Sequence, residues 1–130
     1  MVRVPPGFTR VFPYIMADDP DRLVQFLRDG LGGQPGRESR RDDGVLANAM
    51  VTFGDTTVMV SGTTSDWPAT RGTYYLYVDD ADAAMARAEA AGGTCRMAVA
   101  DQDYGDRQGG VADPEGNVWW LSQRLAEGAY

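Results

Sequence analysis

The chain has 130 residues, of which 43% are hydrophobic and 24% charged, with a formal net charge of −7; this suffices for one domain with a real core and excludes a disordered composition. The acidic balance excludes a phosphate-binding nucleic-acid surface, no apolar run approaches the roughly 18 residues of a membrane span, and "MVRVPPGFTR" carries no apolar leader, so a cytoplasmic protein is expected. There is no histidine, which removes the commonest metal ligand and the Ser-His-Asp and Cys-His nucleophiles.

In chain order, "RVFPYIM" (Arg10 to Met16) reads as a strand. It leads into "ADDPDRLVQFLRDGLGG", a helix whose aspartates supply an N-cap and first-turn negative charge and whose Leu23, Phe26, Leu27 and Leu31 recur at helical spacing. Three strands follow, "PGRESRR", "VLANAMVTF" and "TTVMVSG", separated by the turn signals "RDDG" and "GD". The segment "TTSDWPATRG" reads as a linker. Then the order repeats: strand "TYYLYV", helix "VDDADAAMARAEAAGG", and strands "TCRMAVA", "GGVAD" and "VWWLSQ", with "YGDRQGG" and "DPEGN" as turns. Asp18, Asp19 and Asp21 fall on Asp79, Asp80 and Asp82 at an offset of 61, and Gly32 falls on Gly93. The expected fold is therefore α+β, two βαβββ modules at about 9–61 and 72–123, joined by a linker at 62–71 within one domain.

Successive strand residues point to opposite faces. On the first strand Val11, Pro13 and Ile15 oppose Phe12, Tyr14 and Met16; on its repeat Tyr74 and Leu76 oppose Thr73, Tyr75 and Tyr77. On the last strand Trp119 and Leu121 oppose Val118, Trp120 and Ser122. Trp119 is expected against the helix layer and Trp120 on the open face. That second face mixes aromatic and polar groups, which suits a ligand-lining surface better than a dry core. Cys95, in the alternating "GTCRMAV", is expected to be a buried, inert thiol.

The two modules, with "PYIMADDPDRLVQFLRDGLGG" opening the first and "DYGDRQGGVADPEGNVWWLSQ" closing the second, resemble the vicinal oxygen chelate superfamily of glyoxalases, bleomycin-resistance proteins and extradiol dioxygenases. The resemblance spans about Phe12 to Gln123 and implies concave mixed sheets and a homodimer with pockets shared between chains. In metal-dependent members the ligands would fall here on Phe12, Met59, Thr73 and Trp120, none a usual ligand of a divalent cation. The resemblance thus implies no metal and no cofactor, as in the metal-free bleomycin-resistance branch.

The first functional reading is a binding protein that sequesters an aromatic or glycopeptide-type antibiotic, bleomycin- or enediyne-like, and so confers self-resistance. Its candidate ligand-binding residues are Phe12, Tyr14, Asn48, Met50, Met59, Trp67, Thr73, Tyr75, Tyr77, Tyr104, Arg107, Trp120 and Ser122. Trp67 is either a lid or part of a dimer interface, and Trp120 either stacks on the ligand or plugs the cavity. A metal-free isomerase or lyase is the alternative, drawing on "DQDYGDR" for a proton-transfer group; a third reading is a domain whose cavity is filled. No carboxylate is expected on the four cavity strands, and Asp106 and Arg107 are expected to fix their loop.

Overall fold

A computed structural model describes residues 1–130. It divides into two compact units, one formed by residues 1–28 and 32–70, the other by residues 29–31 and 71–130.

In the first unit, β1 (Tyr14–Ala17) leads to α1 (Pro20–Gln25), which continues as a π-helical turn over Phe26–Gly30, and then to β2 (Gln34–Arg40), β3 (Leu46–Phe53) and β4 (Thr56–Gly62). The sheet order is β1-β4-β3-β2, with β1 parallel to β4 and the other pairs antiparallel. Asp19 is the N-cap of α1, its side chain accepting from the Arg22 N–H, and Pro20 follows where its missing N–H costs nothing. Ile15, Ala17, Ala49, Val51, Val58 and Val60 are buried, as are Leu23, Val24, Phe26 and Leu27 of the helix. The edge strand β2 is exposed throughout. It is broken by a register shift between Pro35 and Glu38 and carries charge tied to the helix, Arg40 to Asp21 at 2.6 Å and Glu38 to Arg28 at 2.7 Å. Proline, charge and a bulge are devices that keep an edge from pairing with another chain.

The second unit repeats the plan with β5 (Thr73–Tyr77), α2 (Ala81–Ala90), β6 (Thr94–Asp101), β7 (Asp106–Ala112) and β8 (Val118–Arg124), in the order β5-β8-β7-β6. Asp80 caps α2 through the Ala83 N–H, 61 residues after its counterpart Asp19. Ala81, Met85 and Ala88 form the buried stripe of α2. The turn before β8 is knit by Asp113: its Oδ1 accepts from the Glu115 and Asn117 N–H groups, and its Oδ2 accepts from Asn117 Nδ2 and from Trp119 Nε1 at 2.9 Å. Asn117 in turn accepts from the Gly72 N–H, fixing the entry to β5.

Four expectations are corrected. The first strand starts at Tyr14 rather than Arg10, because Pro13 has no N–H to give a ladder; Phe12 instead packs on Phe8, ring centroids 4.9 Å apart. The seventh strand starts at Asp106, so Asp106 and Arg107 belong to a strand and not to a loop. Cys95 is exposed. Finally, the left-handed glycine that ends each helix is Gly32 (φ 79°) in one copy and Gly92 (φ 104°) in the other, so the conformational match is with Gly92 rather than Gly93. The first copy spends one more residue between cap and stop, and its π-helical turn is where a wider turn accommodates it.

Candidate functional site

Each sheet has a helix-covered face and an opposite face. On the opposite face of the first sheet, the register sets Tyr14 beside Met59 and Met59 beside Met50. Tyr14 is half-exposed, and its hydroxyl is 2.8 Å from that of Ser61, which donates to the Ala47 carbonyl. Asn48 shares the face of Met50 by strand parity. Phe12 lies ahead of the strand. Trp67 is exposed in a tight turn in which its N–H bonds to Thr64, and it belongs to no sheet face.

The second sheet carries the richer surface. Tyr75 pairs with Trp120 and Tyr77 with Ser122 across β5 and β8, while Gly110, Gln108 and Asp106 of β7 lie opposite Trp120, Ser122 and Arg124. Thr73 is exposed at the start of β5, beside Val118. Thus Thr73, Tyr75, Tyr77, Trp120 and Ser122 share one face. Trp119, on the other face, is buried, its ring centroid 4.8 Å from that of Tyr74. The paired tryptophans divide as strand parity requires.

Gly109 and Gly110 are the reason both faces can carry large groups there. A β-carbon on Gly109 would come within 2.9 Å of the Met85 terminal methyl, on the helix side. One on Gly110 would come within 2.7 Å of the Trp120 ring. The indole therefore lies across bare backbone, forming a floor to the open face.

Beside that floor runs a chain of polar groups. Tyr104 donates to the Gln108 side-chain oxygen, Gln108 Nε2 donates to Ser122 Oγ at 3.0 Å, and Ser122 donates to Asp106 Oδ2 at 2.7 Å. Arg124 Nη1 donates to Asp106 Oδ1 at 2.8 Å, and the Tyr130 hydroxyl donates to Oδ2 at 2.6 Å. Asp106, Gln108 and Ser122 are all buried. Burial alone would push the Asp106 carboxyl up; hydrogen bonds from Tyr130, Arg124 and Ser122, together with the Arg124 charge, outweigh it and hold the group below the usual carboxylate range. The same contact to Asp106, and then the Tyr77 hydroxyl, push the Tyr130 phenol far up. Burial first, and the neighbouring Tyr75 phenol second, raise Tyr104.

A cavity of about 600 Å³ opens alongside, lined by Tyr77 of β5, by Val78 and Asp79 just after it, by Gln123 and Arg124 of β8, and by Gly128, Ala129 and Tyr130 of the tail that follows β8. Tyr130 is absent from the candidate residues, and Asp106 enters them only as a proton-transfer group of "DQDYGDR", not as a ligand-binding residue. Reading the "GDR" stretch as a turn hid the parity that puts Asp106 on the face of Trp120, and nothing local signals that the tail folds back. Arg107 points to the helix side instead, where its Nε bonds to Asp82 of α2 at 2.8 Å and its Nη1 to Asp101 at 3.0 Å.

Two sheets of this order, each built as strand-helix-three strands, define a glyoxalase-type chain with an aromatic open face. Residues 8–121 match the Glyoxalase/Bleomycin resistance protein/Dioxygenase superfamily, and the chain belongs to it. The uncharacterized protein Rv0887c of Mycobacterium tuberculosis is 35% identical, covering 88% of this chain and 74% of that protein. Among solved structures, TioX from Micromonospora sp. ML1 superposes with a TM-score of 0.77 at 26% identity, covering 90% of this chain and 99% of TioX. TnmS3, an antibiotic binding protein from Streptomyces sp. CB03234, superposes with a TM-score of 0.72 at 21% identity over 95% of this chain and 98% of TnmS3. No helix is long and apolar enough to cross a membrane.

The divalent metal found in enzymes of the superfamily does not fit these residues. The central rows of the two sheets hold Tyr14 with Met59 and Tyr75 with Trp120. None offers an imidazole, carboxylate or thiolate, and no three acidic, cysteine or histidine side chains converge anywhere in the chain.

Proposed function

We propose that this protein is a metal-independent small-molecule binder that sequesters an aromatic or glycopeptide-type antibiotic, bleomycin- or enediyne-like, and thereby protects the cell that makes or meets it. The observation that carries this reading is the open face of the second sheet, where the half-exposed Tyr75 and Tyr77 flank a Trp120 floor beside a cavity of about 600 Å³. Ligand pockets of ~300–1,000 Å³ combine apolar and aromatic walls with a few fixed polar groups. Trp120 here is a stacking platform, and Asn48, Thr73, Ser122 and Tyr104 are polar fixings. Likeness to an antibiotic binding protein supports the same class. In this reading the protein works in the cytoplasm as a homodimer, each chain one domain of two modules; Tyr14, Met50 and Met59 of the first module add apolar surface, and Phe12 and Trp67 contribute at its margin.

The test is a tryptophan-fluorescence titration of the full chain with bleomycin, mitomycin and an anthraquinone-type enediyne, with mass analysis of the recovered ligand. Saturable binding, weakened at least tenfold in Trp120→Ala and returning the ligand unchanged, is expected. Absence of binding to all three compounds removes the antibiotic reading.

A metal-free enzyme is the second reading, favoured by one observation: a buried carboxylate, Asp106, does lie on the Trp120 face, on β7. Its depressed pKa makes it a weak base at neutral pH. Recovery of a chemically altered ligand would move the protein to that class.

A further inference from the structure

The tail beyond β8 lies on the open face and belongs to no element. Residues 125–130 are all exposed, and a single backbone hydrogen bond, from the Leu125 N–H to the Gly105 carbonyl, ties its base. Gly128, at φ 85°, makes the reversal that brings Tyr130 back over the sheet. There the phenol meets three fixed groups. Its one proton goes to Asp106 Oδ2, because an ionised carboxylate can only accept. The Tyr77 hydroxyl, 2.6 Å away, must therefore donate to the phenol oxygen. The Arg124 guanidinium sits 4.3 Å from the ring centroid, over its face.

The backbones of these three groups are held apart from the tail. Asp106, Tyr77 and Arg124 all stand on paired strands, and Asp106 has partners besides Tyr130 in Ser122 and Arg124. Tyr130, by contrast, is 66% exposed and held only through side-chain contacts and two long bonds from Arg124 to the Gly128 and Ala129 carbonyls, 3.2 and 3.4 Å. We propose that Tyr130 occupies a phenol-recognition subsite as an internal stand-in for the ligand, and that a hydroxylated aryl compound displaces it, donating a hydrogen bond from its phenolic O–H to Asp106, accepting one from Tyr77 and laying its ring under Arg124.

The charge pattern selects that class. Asp106 and Arg124 neutralise one another, so at the place Tyr130 fills a ligand ammonium gains no unmatched anion and a ligand carboxylate or phosphate meets Asp106 head-on; a further carboxylate, the exposed Asp79, stands on the wall of the adjoining cavity. What the site lacks once Tyr130 leaves is a neutral O–H donor attached to a π face, which describes a phenol. This inference rests on the proposed small-molecule-binding role and names the group that the ligand must carry.

The experiment uses the full chain with Tyr130→Ala and the probe p-cresol, which has the chemical form of the tyrosine side chain, against 4-methylanisole, its methyl ether. Binding is followed by NMR titration. In Tyr130→Ala, p-cresol is expected to bind at least tenfold more tightly than to the wild type, and 4-methylanisole to show no such gain. Tyr77→Phe added to Tyr130→Ala should weaken p-cresol several-fold. Equal p-cresol affinity in wild type and Tyr130→Ala, or equal gains for cresol and its ether, would overturn the proposal. The antibiotic titration described above reads the broader role separately: cresol binding without antibiotic binding keeps the subsite and removes the antibiotic, and antibiotic binding with no cresol gain does the reverse.

Discussion

Trp120 and Gly110 are cross-strand partners on β8 and β7, and the indole occupies the space where a side chain on residue 110 would stand. The nearest ring carbon lies 2.7 Å from a β-carbon built on Gly110, closer than real contacts allow. The floor of the open face therefore depends on a missing methyl group.

Gly110→Ala should lift the indole off the sheet. Overpacking of this kind costs about 1–3 kcal/mol. A lower urea midpoint together with a shifted tryptophan emission maximum is expected, along with weaker ligand binding. An unchanged midpoint and spectrum would mean that Trp120 has room elsewhere.

Acid should weaken the second unit through Asp106. Its folded pKa lies below the unfolded value of about 4. The folded state thus favours the anion, the stabilisation is complete above the unfolded pKa, and it is lost as pH falls through the lower folded value. Asp21 and Asp82, held down by hydrogen bonds from Arg40 and Arg107, act in the same direction. The measurement is the urea midpoint from pH 7 to pH 2 for wild type and Asp106→Asn. The gap between them should close towards low pH, and a constant gap would show that Asp106 is not the titrating group.

Asp113→Ala removes the acceptor for two backbone N–H groups, the Asn117 amide and the Trp119 indole N–H at once. A loss of about 2–4 kcal/mol follows from typical values for hydrogen bonds to charged groups. Chemical denaturation should report it, and Asp113→Asn should recover part of it by keeping an acceptor oxygen. No difference between the two variants would argue that charge, not hydrogen bonding, holds the turn.

Asp80→Ala and Asp19→Ala delete equivalent N-caps. Each should cost about 1 kcal/mol, with Asp80→Asn nearly neutral, since asparagine caps as well as aspartate. Circular dichroism during thermal unfolding of the four proteins would show whether the two copies share this dependence.

Much of this was legible from residues alone because the signals are local and periodic. The paired aspartate caps, the alternation that separates Trp119 from Trp120, and the turn signals between strands need no distant partner to be read. The duplicated order of elements follows from those signals, and the resemblance to the superfamily rests on that order together with the motifs that open the first module and close the second. Arg107 was legible only as a group fixing its own loop or as a ligand contact, whereas its partner in α2, Asp82, lies 25 residues away.

Tertiary structure decided the rest, and in each case through contacts distant in sequence. Asp106 becomes a buried carboxylate because β7 starts there and pairs with Arg124, 18 residues on. Gly109 and Gly110 look like one flexible turn in sequence; packed, they make room for Met85 on one face and Trp120 on the other. Tyr130 reaches Tyr77 across 53 residues, a contact no local pattern encodes. Sequence alone thus determined which groups could face one way, since side-chain direction follows from strand geometry. Only folding determined which of them meet, since that depends on register and on where the tail returns.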